Sequence, residues 1–233
     1  MTAVIRDVDQ LLTTTRAVRR RMDFDRPVER SVIEECVRLA QQAPMGSNLE
    51  DWRVVAVDDP ALKAGIAELY QEVWVETVEG PLTRGEAATV ARLSPTIRAD
   101  DVAADRQQRI LDGVKYLCDR LDRVPVLLIV CSKKAQPERP LGGTASGYYG
   151  SIFPFAWSIQ LALRSRGLGS VMATAIAHKA FKVQQLLNLP DRWRPITMLP
   201  VGYTLGLDFR AATRAPVHEV LSWNEPTLAD GDV

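Results

Sequence analysis

Metal and disulfide chemistry are hard to build from this chain, because the residues they need are scarce. It has three cysteines, Cys36, Cys118 and Cys131, with no C-x-x-C pair, and two distant histidines, His178 and His218. An odd, sparse cysteine set fits a reducing compartment, where a buried thiol behaves as a small apolar side chain. Two isolated histidines make no metal-binding motif. Net charge is also missing: 29 basic residues face 29 acidic ones. That balance leaves no overall field for nucleic acid or an anionic membrane surface. The longest apolar run, Val124–Cys131, has a strand's length and falls far short of a membrane span. Met1–Asp9 carries Arg6, Asp7 and Asp9 and no apolar segment, so no signal peptide is expected. These absences predict a cytoplasmic protein without metal, nucleic acid or membrane as a partner.

Several nucleotide and hydrolase signatures are absent as well. Gly142–Gly150 is followed by no lysine, which removes a phosphate-binding NTPase loop. Gly167-Leu168-Gly169-Ser170 lacks a third glycine and follows a helical segment, whereas the Rossmann turn needs a strand before it and a helix after. Ser146 and Ser151 stand in no G-x-S-x-G elbow.

What remains is an ordinary globular composition, 46% hydrophobic and 25% charged over 233 residues. That suits a single domain with a substantial core. Asp7–Thr14 reads as a short helix, and Arg30–Ala43 as an amphipathic one stopped by Pro44. Trp52–Val57 reads as a central strand. Pro60 opens a helix from Ala61 to Val78, and Ala103–Asp122 returns to helical spacing. Val124–Cys131 has the continuous pattern of a strand buried on both faces. Gly150–Arg166 is apolar on nearly every side, as in a helix central to the core or shared with a second subunit. Gly167 suits a left-handed cap. A short strand near Ser170–Ala173, a helix at Phe181–Leu187 and a strand at Ile196–Tyr203 follow. Residues 79–102 and 132–148 read as long surface insertions of the kind that cover active sites. Residues 205–233 read as an arm over the surface or over a partner.

Two stretches could carry chemistry. In Thr15–Arg21, Arg16 and Arg19 stand three apart, so on a helical turn both can face one point. Their planar forks suit a phosphate monoester. A solvated basic helix end is the competing reading. In Pro44-Met45-Gly46-Ser47-Asn48, Gly46 would let backbone approach a flat ligand, while Ser47 and Asn48 could bond ring heteroatoms. A plain helix-to-strand turn would use the same residues.

In combination these stretches resemble the nitroreductase family of flavoproteins. Arg16-Ala17-Val18-Arg19 matches its R-[SA]-[VI]-R motif, and Ala43–Trp52 its A-P-x-G-x-N-x-Q-x-W element. Gly167–Ser170, Leu199-Pro200-Val201-Gly202-Tyr203 and Arg214–Leu221 match three later motifs in the right order. The resemblance spans residues 10 to 224. It implies an α+β fold with a mainly antiparallel central sheet flanked by helices, assembled as an intertwined homodimer. It also implies FMN as cofactor, NADPH or NADH as electron donor, and a small-molecule electron acceptor. Arg16, Arg19 and Arg214 would then hold the FMN phosphate, with Ala17 and Val18 offering backbone. Pro44, Met45, Gly46, Ser47 and Asn48 would line the ring, often from the second subunit. Thr174, Ala175 and Ile176 would lay backbone amides beside the ring's N5 atom. Flavin carries the redox chemistry, so no catalytic side chain is expected. Two departures stand out: Glu50 where glutamine is usual, and Ala17 in place of the commoner serine. A flavin-binding sensor or storage protein, or a fold relative with a different flavin reaction, remains open.

Overall fold

The computed structural model describes residues 4–84, 101–138 and 142–226, with backbone alone for 101–107. Helix α1 (Val8–Thr14) starts where the Asp7 side chain accepts the Gln10 N–H at 2.7 Å. Such a cap satisfies one of the orphan donors of a helix start. Helix α2 (Arg30–Ala40) buries Val32, Ile33, Cys36 and Ala40, one face at helical spacing. It stops three residues short of the expected Ala43, because the Gln41–Ala43 backbone tightens into a final turn, Ala43 N–H donating to Ala40 C=O at 2.9 Å.

Strand β1 (Trp52–Val57) leads into helix α3 (Pro60–Trp74), which has Pro60 in its first turn and Asp59 as its cap. The helix then widens into one π turn at Val75–Glu79 and resumes as α4 (Gly80–Thr83). The start of the expected 79–102 excursion is therefore helical, and residues 85–100 lie outside the described residues. Helix α5 (Asp101–Cys118) and a short 3-10 turn at Leu121–Arg123 lead into strand β2 (Val126–Ser132).

Helix α6 spans Gly143–Ser165 and begins seven residues earlier than its apolar pattern suggests. The glycine-bearing stretch expected to be loop forms its first two turns, which shortens the 132–148 insertion. Strand β3 (Leu168–Ser170) follows after Gly167, whose φ of +80° fits the predicted cap. A 3-10 segment (Thr174–Lys179), helix α7 (Ala180–Leu186) and strand β4 (Arg194–Tyr203) come next, and a 3-10 turn (Val217–Glu219) lies on the tail.

The four strands run antiparallel in the order β1-β2-β4-β3. The α+β expectation of an antiparallel sheet flanked by helices holds, with one correction. Strand β1 lies at the edge, and the central pair is β2 and β4. Every residue of β2 is buried. Val126, Leu128 and Val130 pack on one side with α2 and α6, and Leu127, Ile129 and Cys131 on the other with α3 and α5. This is the period-two alternation of a strand covered on both faces. Trp52 stacks on Phe155 with ring centroids 4.6 Å apart, tying β1 to α6. The three cysteines are free and buried, and burial pushes the Cys131 thiol up to about 12. Among the described residues no helix is long and apolar enough to cross a membrane.

Candidate functional site

The arginine-rich segment is not a helical turn. Ala17 forms a parallel bridge to Ser170, and the Val18 N–H donates to Ser170 C=O at 3.0 Å, so the segment extends the sheet beyond β3. Val18 is buried and packs over Gly169, where a Cβ would come within 2.7 Å of Val18 and of Thr204. Only glycine allows that approach. The bridge at Ala17 and Val18 seats Arg16 just before the sheet edge and Arg19 at the turn just after it.

Both arginines line one cavity of about 590 Å³, together with Ala17, Val18, Arg20, Arg21, Arg109, Gly113, Asp208, Phe209 and Arg210. Arg21 pairs with Asp208. The Arg16 Nη1 donates to the Arg210 carbonyl at 3.0 Å, joining this segment to the tail. Arg19 has no carboxylate partner among the described residues, and burial lowers its pKa from the ordinary arginine value. The guanidinium's planar fork is chemically suited to an anion's oxygens.

Arg19 also lines a second cavity, an apolar slot of about 360 Å³. Its walls include Tyr70, Val73 and Trp74 from α3, Leu111, Val114 and Leu117 from α5, and Val171–Ala175 with His178. The Tyr70 hydroxyl is pushed up to about 12 by burial and stays protonated. The Trp74 Nε1–H is buried without a hydrogen-bond partner among the described residues. A buried donor left unsatisfied costs roughly 1–3 kcal/mol, which a ligand acceptor would offset. An arginine-lined cavity and a largely apolar slot thus meet at Arg19.

The other predicted site residues fall in different places. Thr174 and Ala175 line the slot, while Ile176 is fully buried and is not among its lining residues. Pro44, Gly46, Ser47 and Asn48 are exposed on another face, and Met45 is half-buried there. That turn is anchored by the Gly46 N–H, which donates to Ser151 Oγ at 2.9 Å. Ser47, Asn48 and Glu50 adopt positive φ of 58°, 51° and 45°. Positive φ at three of four successive non-glycine positions is uncommon. The turn shares no lining residue with the arginine cavity in one chain. Arg214 is exposed on the tail and lines neither the arginine cavity nor the slot.

Sequence reasoning missed Arg20, Arg109, Tyr70 and Trp74. The signal for Arg109 lay in its position one turn before Gly113, where α5 comes close to Arg19. Tyr70 and Trp74 stood on a helix read only as core.

Comparison with known proteins decides the family. The nitroreductase family model matches residues 12–203. The chain belongs to the nitroreductase family. Among curated members, it is 28% identical over 198 residues to the iodotyrosine deiodinase of Thermotoga neapolitana, covering 82% of this chain and 86% of that protein. It is 25% identical over 176 residues to the 5,6-dimethylbenzimidazole synthase of Rhodobacter capsulatus, covering 76% and 74%. Among solved structures, an oxidized iodotyrosine deiodinase bound to FMN and 3-iodo-L-tyrosine superposes with a TM-score of 0.63 at 23% identity. That match covers 95% of this chain and all of the other. The FMN and NADPH-dependent nitroreductase NfnB from Sphigopyxis sp. strain HMH gives 0.63 at 21%, covering 94% and 100%. The nitroreductase fold and membership in the nitroreductase family follow from these matches.

Proposed function

We propose that this chain is an FMN-dependent oxidoreductase that takes electrons from NADPH or NADH and passes them to a conjugated acceptor in a ping-pong sequence. The observation that carries this reading is the junction at Arg19 between an arginine-lined cavity and an apolar slot. FMN has the same two parts, a terminal phosphate and a flat ring, and supplies the redox chemistry when bound. Arg16 and Arg19 would hold the phosphate by charge-assisted hydrogen bonds. Thr174 and Ala175 would hold the ring edge. Val73, Val114 and Val171 would keep water from the ring face. The buried cysteines match a reducing, cytoplasmic setting.

Nitroaromatics and quinones are planar and uncharged, as the described walls of the slot favour. The relationship to deiodinases supports a second reading, reductive removal of halogen from an aromatic ring. A free amino acid would bring an ammonium group, and the described slot walls offer it no carboxylate.

The active unit in this reading is an intertwined homodimer. Phe153 and Trp157 sit one turn apart on α6, both part-exposed, and the tail displays Val217, Val220, Leu221 and Trp223. Added Cβ atoms at Gly147 and Gly150 would meet nothing within 4 Å, so that face is open to close approach. A second copy would cover these groups and would bring its Pro44–Asn48 turn and Arg214 to the flavin.

The test is the absorbance spectrum of the purified protein, followed by anaerobic mixing with NADPH and NADH. A yellow protein holding about one FMN per subunit, bleached by a nicotinamide donor and recoloured by a quinone or nitroaromatic, is expected. Colourless protein, or released FAD, would overturn the cofactor assignment. Yellow protein that no donor bleaches would leave a sensor or storage protein, and recolouring by 3-iodotyrosine alone would select the dehalogenating reading.

A further inference from the structure

The wall of the apolar slot carries a hydroxyl that the fold itself leaves unused. Tyr70, on α3, is only 8% exposed and belongs to the core cluster that includes Ile66, Leu117 and Leu121. It also lines the slot, and its hydroxyl has no hydrogen-bond partner among the described residues. Buried tyrosines ordinarily find one. The neighbouring hydroxyl in the slot wall is already engaged, Thr77 Oγ1 donating to Val73 C=O at 2.7 Å. Burial keeps the Tyr70 hydroxyl protonated at neutral pH, so it is available as a donor.

This hydroxyl lies at the end of the slot where the arginine cavity begins. Arg19 and Tyr70 both line the slot, and each perturbs the ionisation of the other through space. Two donors, one of them a cation, therefore stand together in a wall that contains no carboxylate among its described residues. A flavin with its phosphate among the arginines and its ring in the slot has to enter the slot at this point. The chain from the phosphate joins the ring at N10, and the ring has two flanks there. One is the N1–C2=O edge, whose N1 and O2 accept hydrogen bonds. The other is the edge of the dimethylbenzene ring, which is hydrocarbon. A guanidinium and a phenol hydroxyl complement the first flank. Against the second both would stay unsatisfied, which is costly away from water.

We propose that the Tyr70 hydroxyl donates a hydrogen bond to the C2 carbonyl oxygen of the flavin and thereby raises the reduction potential of the bound ring. This rests on the flavin reading above. A hydride from the reduced nicotinamide reaches N5 with both electrons of the broken C–H bond. The nicotinamide is oxidised, and the negative charge gained by the flavin spreads over N1 and O2. No proton leaves Tyr70. Its bond to O2 changes from neutral to charge-assisted in a site shielded from water, so it holds the reduced ring more tightly than the oxidised one.

The test compares the FMN-loaded wild type with Tyr70→Phe, which removes the hydroxyl and keeps the ring. Reduction potentials are measured by equilibration with a reference dye. Infrared difference spectra are recorded with FMN isotopically labelled at C2 or at C4. The preference for the reduced over the oxidised ring should fall about tenfold in the variant, equivalent to a potential about 30 mV lower for a two-electron couple. The C2 carbonyl stretch should move to higher frequency, and the C4 stretch should stay where it is. A fluorinated tyrosine at position 70 is a stronger donor of nearly the same shape. It should move both readings in the opposite direction, and it carries the test alone if Tyr70→Phe does not fold. Equal potentials, or a shift at C4 in place of C2, would overturn the proposal and leave the flavin reading standing. So would a lowered potential with an unmoved C2 stretch, which is the mark of a purely structural change. Protein that takes up no FMN would overturn both readings together.

Discussion

Strand β4 and the tail that follows it are continuous in sequence and opposite in environment. From Pro195 to Tyr203 every residue of β4 is buried between β2 and β3. Past Thr204 the chain is mostly exposed, with Val220 77% and Trp223 81% accessible. Both stretches contain large apolar side chains, so composition does not explain the contrast. The sheet is complete within one chain, and the tail is not. Burying an exposed Val, Leu or aromatic side chain is worth about 1.5–3 kcal/mol. A chain that leaves several of them together in water has the makings of half an interface. The largest expected effect follows from this. Deleting residues 216–233 should abolish the dimer and release the flavin together, because Arg214 then ends a shortened and unanchored arm. Sedimentation and the bound-flavin spectrum read both. A yellow, well-folded monomer would break the comparison by showing that the tail serves neither end.

The arginine segment sits where the two regions meet, bridged to Ser170 of β3 and bonded to Arg210 of the tail. Arg16→Ala or Arg19→Ala should each weaken FMN binding by about 1.5–3 kcal/mol, and the double replacement should yield largely apo protein. Flavin titration of the refolded apoprotein measures it. Unaltered affinity in the double variant would reduce the cluster to a solvated basic edge.

On the sheet side, the contact that seats this segment can be sharpened by one methyl group. Gly169→Ala would place a Cβ 2.7 Å from Val18 and from Thr204. Overpacking of that kind costs about 1–3 kcal/mol. Thermal unfolding should therefore begin earlier, with flavin lost before the fold. An unshifted Tm would show that the Val18 backbone can yield.

How far the sequence could be read also divides along these lines. Strand β2 was legible because burial on both faces leaves an unbroken apolar run, and α2 because its buried positions keep a helical period. The Gly167 cap followed from the backbone freedom of glycine. The start of α6 was not legible: Gly142-Gly143-Thr144-Ala145-Ser146-Gly147 has loop composition, yet Ala145 and Tyr148 bury against the core and hold it helical. The position of β1 at the sheet edge depends on the order of pairing, which local pattern does not encode. The same holds for Arg16 and Arg19. Their spacing suggested a helical turn, and the bridge to Ser170, more than 150 positions away, made the segment extended. Arg109 and Trp74 joined the site only because α3 and α5 fold over it. The motifs of the family were visible as order along the chain, but not the arginines of α5 and the tail that line the same cavity.

The smallest expected effect tests how α2 is bound to the end of α6. Arg166 donates to both carboxylate oxygens of Glu35, from Nη2 at 2.7 Å and from Nε at 3.3 Å. This contact holds the Glu35 carboxyl at about 2, below the ordinary value of 4.5. The folded protein therefore binds the Glu35 proton more weakly than the unfolded chain does. The pair's contribution is fully present above about pH 4.5 and is lost as pH falls toward about 2. Glu35→Gln removes that dependence. The variant should be less stable than the wild type at neutral pH, and the two should converge as pH approaches 2. Glu29, Glu72 and Asp208 also have lowered pKa values, so some acid sensitivity should persist in both proteins. Urea unfolding midpoints between about pH 2.5 and 7 read the difference directly. Parallel curves across that range would mean that Arg166 does not distinguish the charged form of Glu35. The contact between α2 and α6 would then rest on the packing of Val32, Ile33, Cys36 and Ala40.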